Sequence, residues 1–294
     1  MARRDIYVEV TTSILEALEA GVPPWRCPWD RTVGLPLRVT GEAYRGINVV
    51  LLWQAAIAKG YGSPHWMTYR QAAALGGQVR KGEKSVRVIK YGTVEKQDET
   101  AEGAAPPRFG YLRSYAVFNA AQIDGLAPAY DAAPERRAYD TKADAAFMAW
   151  VGRTGLTLRT RDAGRAYYDI AADTIVMPPV ARFEDGAAHA GTLLHEACHA
   201  TGAAHRLNRA FGKRFGDADY IEEELRAELG AAMAGARLGI ATRLEQNAAY
   251  LHSWITLLRS DSRAILRAAS AAQQAADWLM AQAGDMDATR EPAA

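Results

Sequence analysis

His195-Glu196-Ala197-Cys198-His199 is the stretch that decides how the second half of this chain is read. A helix turns once in about 3.6 residues, so His195 and His199, four apart, project from one face. Two imidazoles placed that way can share one metal ion. Glu196 stands beside them, where a carboxylate can take a proton from water activated at such an ion. The chain has only 6 histidines in 294 residues. Two of them around a glutamate at this spacing point to chemistry rather than to the scatter of a polar surface.

A catalytic zinc takes three protein ligands and keeps one position open. The chain offers two sources for the third. Residues 195–205 read H-E-x-x-H-x-x-G-x-x-H, the spacing of a metzincin zinc motif, in which Gly202 would turn the chain and His205 would return to the metal. Alternatively, the acid-rich run that follows holds Glu223, Glu224 and Glu228. Glu224 and Glu228 share a helix face, so one could bind metal while the other fixes the free ring nitrogen of a ligand histidine. A metzincin also needs a methionine in a turn, and Met233, the nearest, lies inside a helical pattern. The preferred ligand set is therefore His195, His199 and Glu224, with Glu228 and His205 as alternatives. Zinc suits nitrogen and oxygen donors best; manganese, cobalt and iron fit them too. The implied chemistry is peptide-bond hydrolysis, with Glu196 as the general base that then protonates the leaving amine. Tyr220, Tyr250 and His205 are the candidate donors to a tetrahedral oxyanion.

Outward from this motif, the composition is that of a packed protein, with 49% hydrophobic residues and a length that suits two domains. Net charge is +1, unevenly spread. Residues 1–125 carry 16 Lys and Arg against 12 Asp and Glu, and between Arg70 and Lys90 six basic residues meet one acid, Glu83. That asymmetry suggests a polyanion surface in the first half only. Two cysteines, Cys27 and Cys198, are too few for a disulfide framework and read as free thiols. No apolar signal core follows the basic N-terminus. The longest apolar run, residues 47–58, is interrupted by Asn48 and Gln54 and is too short for a bilayer. The expectation is a cytoplasmic chain with no membrane partner.

Periodicity places helices at 5–20, 48–59 and 68–75, then paired strands at 86–91 and 111–118 around an acidic insert at 95–107. Residues 126–140, rich in Ala, Pro and charge, read as a linker between a first domain, 1–125, and a second, 141–285, with a flexible tail at 286–294. The second domain opens with a helix at 142–153 and short strands at 156–160, 165–170 and 174–177. The H-E-x-x-H helix follows, capped by Asp185 and ending near Gly202; then come an acidic helix at 220–238 and one long helix at 247–283.

The first domain interleaves rings with cations. Trp25, Trp29, Tyr44, Trp66 and Tyr69 lie among Arg45, Arg80, Lys81 and Lys84. Single-stranded nucleic acid is bound by basic residues that follow phosphates and aromatics that stack on bases. Gly82 would let the basic tip at 80–84 approach a phosphate backbone closely.

Four blocks in order, residues 21–29, 40–48, 66–71 and 75–84, resemble the N-terminal domain of ArdC-type plasmid antirestriction proteins, a domain that also fronts some conjugative primases. Residues 195–207 followed by 223–232 are similar to the zincin-like metallopeptidase domain of the same family. The resemblance spans nearly the whole chain. It implies an α+β fold in two domains: a small N-terminal α+β module binding single-stranded DNA, Asn48 among its contacts, and a C-terminal zincin-like metallopeptidase fold. It implies protection of incoming plasmid DNA from restriction during conjugation, with zinc as cofactor and a protein substrate that could be a restriction enzyme or another DNA-bound protein. In that family the acid-rich helix recurs, which supports a glutamate as third ligand here. The competing expectation is a DNA-binding shield whose metal site is structural and not proteolytic.

Overall fold

The computed structural model describes residues 5–25, 34–95, 108–130, 141–162, 164–212, 216–240 and 248–284. Helix α1, Ile6–Glu19, starts where the Asp5 carboxylate accepts the Tyr7 amide at 2.9 Å and buries Val10, Ile14 and Leu18 along one face. Helix α2, Ile47–Lys59, is apolar nearly all round and ends at Gly60 in the left-handed conformation. Strand β1, Trp66–Met67, leads into the short helix α3, Tyr69–Ala74, which opens with a capping box between Thr68 and Gln71.

After β2, Gln78–Val79, a long antiparallel hairpin forms from β3, Val86–Glu95, and β4, Arg108–Asn119. It starts at Val86 as expected but runs on to Glu95 and takes in 108–110 and Asn119 on the other strand, because pairing carries flanking residues into the ladder. Strand β1 pairs on the other side of β4, giving the order β1-β4-β3, and β2 pairs with β5, Ile123–Asp124. The Asn48 side chain closes the free edge of β3: its Nδ2 donates to the Ile89 carbonyl at 2.8 Å and its Oδ1 accepts the Ile89 amide at 2.7 Å.

The second domain opens with α4, Thr141–Arg153. Strands β6, Leu158–Thr160, β7, Tyr167–Asp169, and β8, Thr174–Met177, form a sheet of order β6-β8-β7, with β6 and β8 parallel and β7 as an antiparallel edge. Then come α5, Gly186–Ala200, α6, Ala218–Leu238, α7, Ala248–Ser260, and α8, Ala264–Ala283. Asp185 caps α5, its carboxylate accepting the Ala188 amide at 2.8 Å. The long helix expected over 247–283 is two helices. Asp261 accepts the Arg263 amide at 2.8 Å, and local side-chain capping of this kind ends one helix and starts the next. Of the expected linker, 131–140 lies outside the described residues, as do the insert at 96–107 and the tail at 285–294.

The two domains share one hydrophobic core that includes Ile14, Leu52 and Trp66 from the first and Leu193, Leu229 and Leu279 from the second. Trp25 packs edge-on against Trp254 of α7 at 5.8 Å between ring centres. Polar contacts cross the same boundary. Thr11 donates to the Ser262 carbonyl at 2.7 Å, the Gly46 amide donates to Gln273 at 3.0 Å, and Arg45 pairs with Asp277 of α8.

Candidate metal centre

Helix α5 places His195 and His199 one turn apart, their Nε2 atoms 3.1 Å from one another. Helix α6 packs alongside and brings Glu224 up to both. Its Oε2 lies 3.5 Å from His195 Nε2, and its Oε1 lies 3.6 Å from His199 Nε2. These three residues offer ligand atoms all within 4.8 Å of one another. Two donors on a tetrahedral zinc, each about 2.0–2.1 Å from the ion, are separated by roughly 3.3 Å. The imidazole separation of 3.1 Å fits that value, and each histidine nitrogen has one or the other oxygen of the Glu224 carboxylate at 3.5–3.6 Å, so the three residues could close on a single small divalent ion.

The close approach of α5 and α6 depends on a glycine. A Cβ at Gly230 would stand 2.8 Å from the Cys198 Sγ. Cys198 is fully buried there, and burial pushes its thiol up to about 12, so it packs as a small neutral group.

Around the three donors lies a second layer of carboxylates. Glu223 Oε1 is 3.3 Å from His199 Nδ1 and accepts from Arg209 Nη2 at 2.7 Å; Glu223 Oε2 accepts from Arg209 Nε at 3.1 Å. Arg209 also donates to the Cys198 carbonyl and the Thr201 hydroxyl, both at 2.7 Å. One buried guanidinium thus joins the end of α5 to the carboxylate that orients a ligand histidine. Glu228 Oε2 stands 3.8 Å behind His195 Nδ1, longer than a hydrogen bond.

The electrostatics follow this arrangement. Burial opposes a charged imidazole at His195, but the hydrogen bond to Glu224 and the charges of Glu196, Glu224 and Glu228 hold its pKa at about 9. Burial would likewise raise Glu223; His199 and Arg209 bring it down to about 2. A metal ion held here would replace a proton between the same groups.

Glu196 and the three donors open into a cleft of about 520 Å³, whose walls include Tyr167, Tyr168, Phe211, Tyr220 and Tyr250. The Tyr220 and Tyr250 hydroxyls are 2.7 Å apart. Burial raises the pKa of both phenols, so both stay neutral O–H groups. His205 is elsewhere. It is exposed and its Nε2 lies 3.4 Å from Asp173. Gly202 does not turn the chain toward the metal; its lack of a side chain leaves room for Phe211, which a Cβ would approach to 2.6 Å, and for Arg209.

The ten expected nucleic-acid contacts separate by burial. Trp25, Tyr44 and Trp66 are core residues: Trp25 packs on Trp254 across the domain boundary, while Trp66, only 1% exposed, packs against Tyr61 and accepts the Tyr44 hydroxyl at its carbonyl inside the first domain. Asn48 is taken up by the edge of β3. Arg45 is exposed but paired with Asp277. Arg80 is paired with Glu83 and Asp124 and donates to the Ala121 carbonyl at 2.6 Å. Tyr69, Lys81 and Lys84 are exposed, and Trp29 lies outside the described residues. The sequence reading missed Arg209. A lone arginine in a connecting loop carries no spacing signal, and only the fold shows what it touches.

A helix bearing H-E-x-x-H beside a small mixed sheet, with a glutamate supplied by the next helix, defines a zincin-like metallopeptidase domain. Residues 145–271 match the model of the zincin-like metallopeptidase family, and residues 4–118 match that of the N-terminal domain of the anti-restriction factor ArdC. The crystal structure of the antirestriction ArdC protein from plasmid R388 in its metal-free form is 48% identical and superposes with a TM-score of 0.82, covering 95% of this chain and 98% of that one. Its Mn(II)-bound form is 46% identical with a TM-score of 0.80, covering 96% and 99%. An uncharacterized protein of Sinorhizobium fredii is 40% identical over 96% of this chain and 93% of its own length. The DNA primase TraC of Escherichia coli is 35% identical over 95% of this chain, which spans 27% of the primase. The chain belongs to the ArdC family of antirestriction proteins.

Proposed function

We propose that this protein binds single-stranded DNA through its first domain and hydrolyses peptide bonds of DNA-associated proteins in the cleft of its second, protecting incoming plasmid DNA during conjugation. The observation that carries the peptidase reading is the convergence of His195, His199 and Glu224 at the floor of a cleft that also holds Glu196. Those three would hold the ion. Zinc is the reading favoured by the donor set, and the Mn(II)-bound relative supports a divalent ion in general.

When bound, the ion would supply a Lewis acid for the hydrolysis. Glu196 then accepts the proton of the attacking water and delivers it to the departing amine. Glu223, held by Arg209, keeps the His199 ring turned toward its partners. Of the paired Tyr220 and Tyr250 hydroxyls one donates to the other, which leaves one proton that could go to the developing oxyanion. Strand β7 is a sheet edge, and Tyr167 and Tyr168 line the cleft, so an extended substrate can add to it by main-chain hydrogen bonds.

The test is Glu196→Gln in the full chain. Its metal content should equal that of the unaltered protein, while cleavage of proteins bound to single-stranded DNA falls at least a hundredfold. Equal cleavage by the variant would remove the catalytic reading. Full protection of transferred DNA by a variant that no longer cleaves would favour a shield with a structural metal. For the first domain, binding of labelled single-stranded DNA should weaken steeply with salt; no such binding would remove the DNA reading.

A further inference from the structure

On the β3–β4 hairpin, residues that face each other across the ladder share a side of the sheet. Lys90 lies opposite Arg113, Gly92 opposite Tyr111, and Val88 opposite Tyr115. One face therefore presents Tyr111, Arg113 and Tyr115 in line along β4, with Lys90 beside them. Lys90, Arg113 and Tyr115 are exposed, and Tyr111 is half-buried. Tyr111 lies over Gly92, where a Cβ would come within 2.5 Å of its ring, and the Arg113 guanidinium sits 5.0 Å from the centre of the same ring. Ring and cation are thus already arranged before any ligand arrives.

Like charges directly opposite one another destabilise a ladder. Among the described residues neither Lys90 nor Arg113 makes an ion pair. A lysine on an edge strand has a bland explanation, since it discourages edge-to-edge pairing. That explanation calls for no second cation directly opposite the first, and on β3 the edge is already closed at Ile89 by Asn48. An anionic ligand lying across the pair would offset the repulsion, and two rings on one face of a strand with a cation between them suit bases flanking a phosphate.

We propose that this face of the hairpin, carried by Lys90, Arg113, Tyr111 and Tyr115, is the track on which single-stranded nucleic acid lies. It rests on the reading of the first domain as strand-binding and adds the surface to it. Lys90 and Arg113 meet phosphates; Tyr111 and Tyr115 meet bases.

The experiment is fluorescence anisotropy of a labelled oligothymidylate with the full chain across a salt series. Lys90→Ala with Arg113→Ala should weaken binding at least tenfold and flatten the log–log salt slope by about 1.4, at about 0.7 per phosphate contact. Tyr111→Ala with Tyr115→Ala should weaken it at least fivefold with the slope unchanged. Gly92→Ala, which only has to displace the mobile end of Tyr111, should weaken binding while the thermal midpoint stays put. Arg159→Ala with Arg161→Ala, exposed on the second domain, controls for net charge and should bind as the unaltered protein does. If the unaltered chain binds strand but the hairpin variants bind equally well, the track is wrong and the DNA reading stands. If the unaltered chain binds no strand even at low salt, both fall. Equal competition by duplex DNA would overturn the stacking role.

Discussion

At the scale of single residues, the centre is a problem in holding like charges together. Glu196, Glu223, Glu224 and Glu228 crowd two imidazoles, and Arg209 neutralises Glu223 from a buried position, with Arg226 a further 3.3 Å partner of the same carboxylate. Arg209→Ala leaves a buried carboxylate with its principal partner gone, a change that costs about 3–5 kcal/mol. The thermal midpoint should fall, and combining it with Glu223→Gln should recover part of the loss. Glu224→Ala should lower divalent-metal affinity at least a hundredfold by titration calorimetry, while His205→Ala leaves it unchanged; the reverse result would restore the eleven-residue motif. Asp173 illustrates the pH side away from the metal. Its hydrogen bonds with Arg206 hold its pKa below the ordinary carboxylate value, against the smaller effect of its burial. A depressed folded-state pKa stabilises above the unfolded value and is lost as pH falls toward the folded one. The gap in thermal midpoint between the unaltered protein and Asp173→Asn should therefore be full at neutral pH and close below about pH 4.

At the scale of elements, the distance between α5 and α6 determines whether Glu224 reaches both histidines. Gly230 sets that distance by letting the Cys198 side chain of α5 lie against the backbone of α6. Gly230→Val should destabilise the fold by about 1–3 kcal/mol through overpacking. It should weaken metal binding as well, since the helix bearing Glu224 is pushed away; isothermal titration and a denaturant melt check the two effects separately. The helices were largely legible, because Asp5, Thr68 and Asp185 caps and Gly60 and Gly239 stops are local signals. The break at Asp261 was not. An alanine-rich amphipathic pattern runs through it, and a one-residue cap does not disturb that pattern. Strands β1, β2 and β5, each two residues long, leave no periodicity to read.

At the scale of the molecule, the two domains are joined by a shared core rather than strung on a linker. Trp25 touches Trp254, Trp254 stacks on Tyr250 at 6.0 Å, and Tyr250 meets Tyr220 in the cleft wall. The first domain thereby backs the wall of the second domain's site. Trp25→Ala should cost about 3–5 kcal/mol. Tryptophan fluorescence and loss of bound metal should then still report one coincident unfolding transition, shifted as a whole. Two separated transitions would show domains that fold independently.

The sequence by itself determined the chemistry: H-E-x-x-H on a helix presents two imidazoles and a carboxylate whatever surrounds it, because the spacing matches the helix turn. It also supplied the acid-rich helix from which a third donor could come. Only the tertiary structure decided which acid stands where, since that depends on how closely two helices pass and on a glycine between them. It likewise decided which aromatics face solvent. Ring and charge content looks alike in a binding surface and in a core, and burial of Trp25, Tyr44 and Trp66 is a property of packing between distant segments.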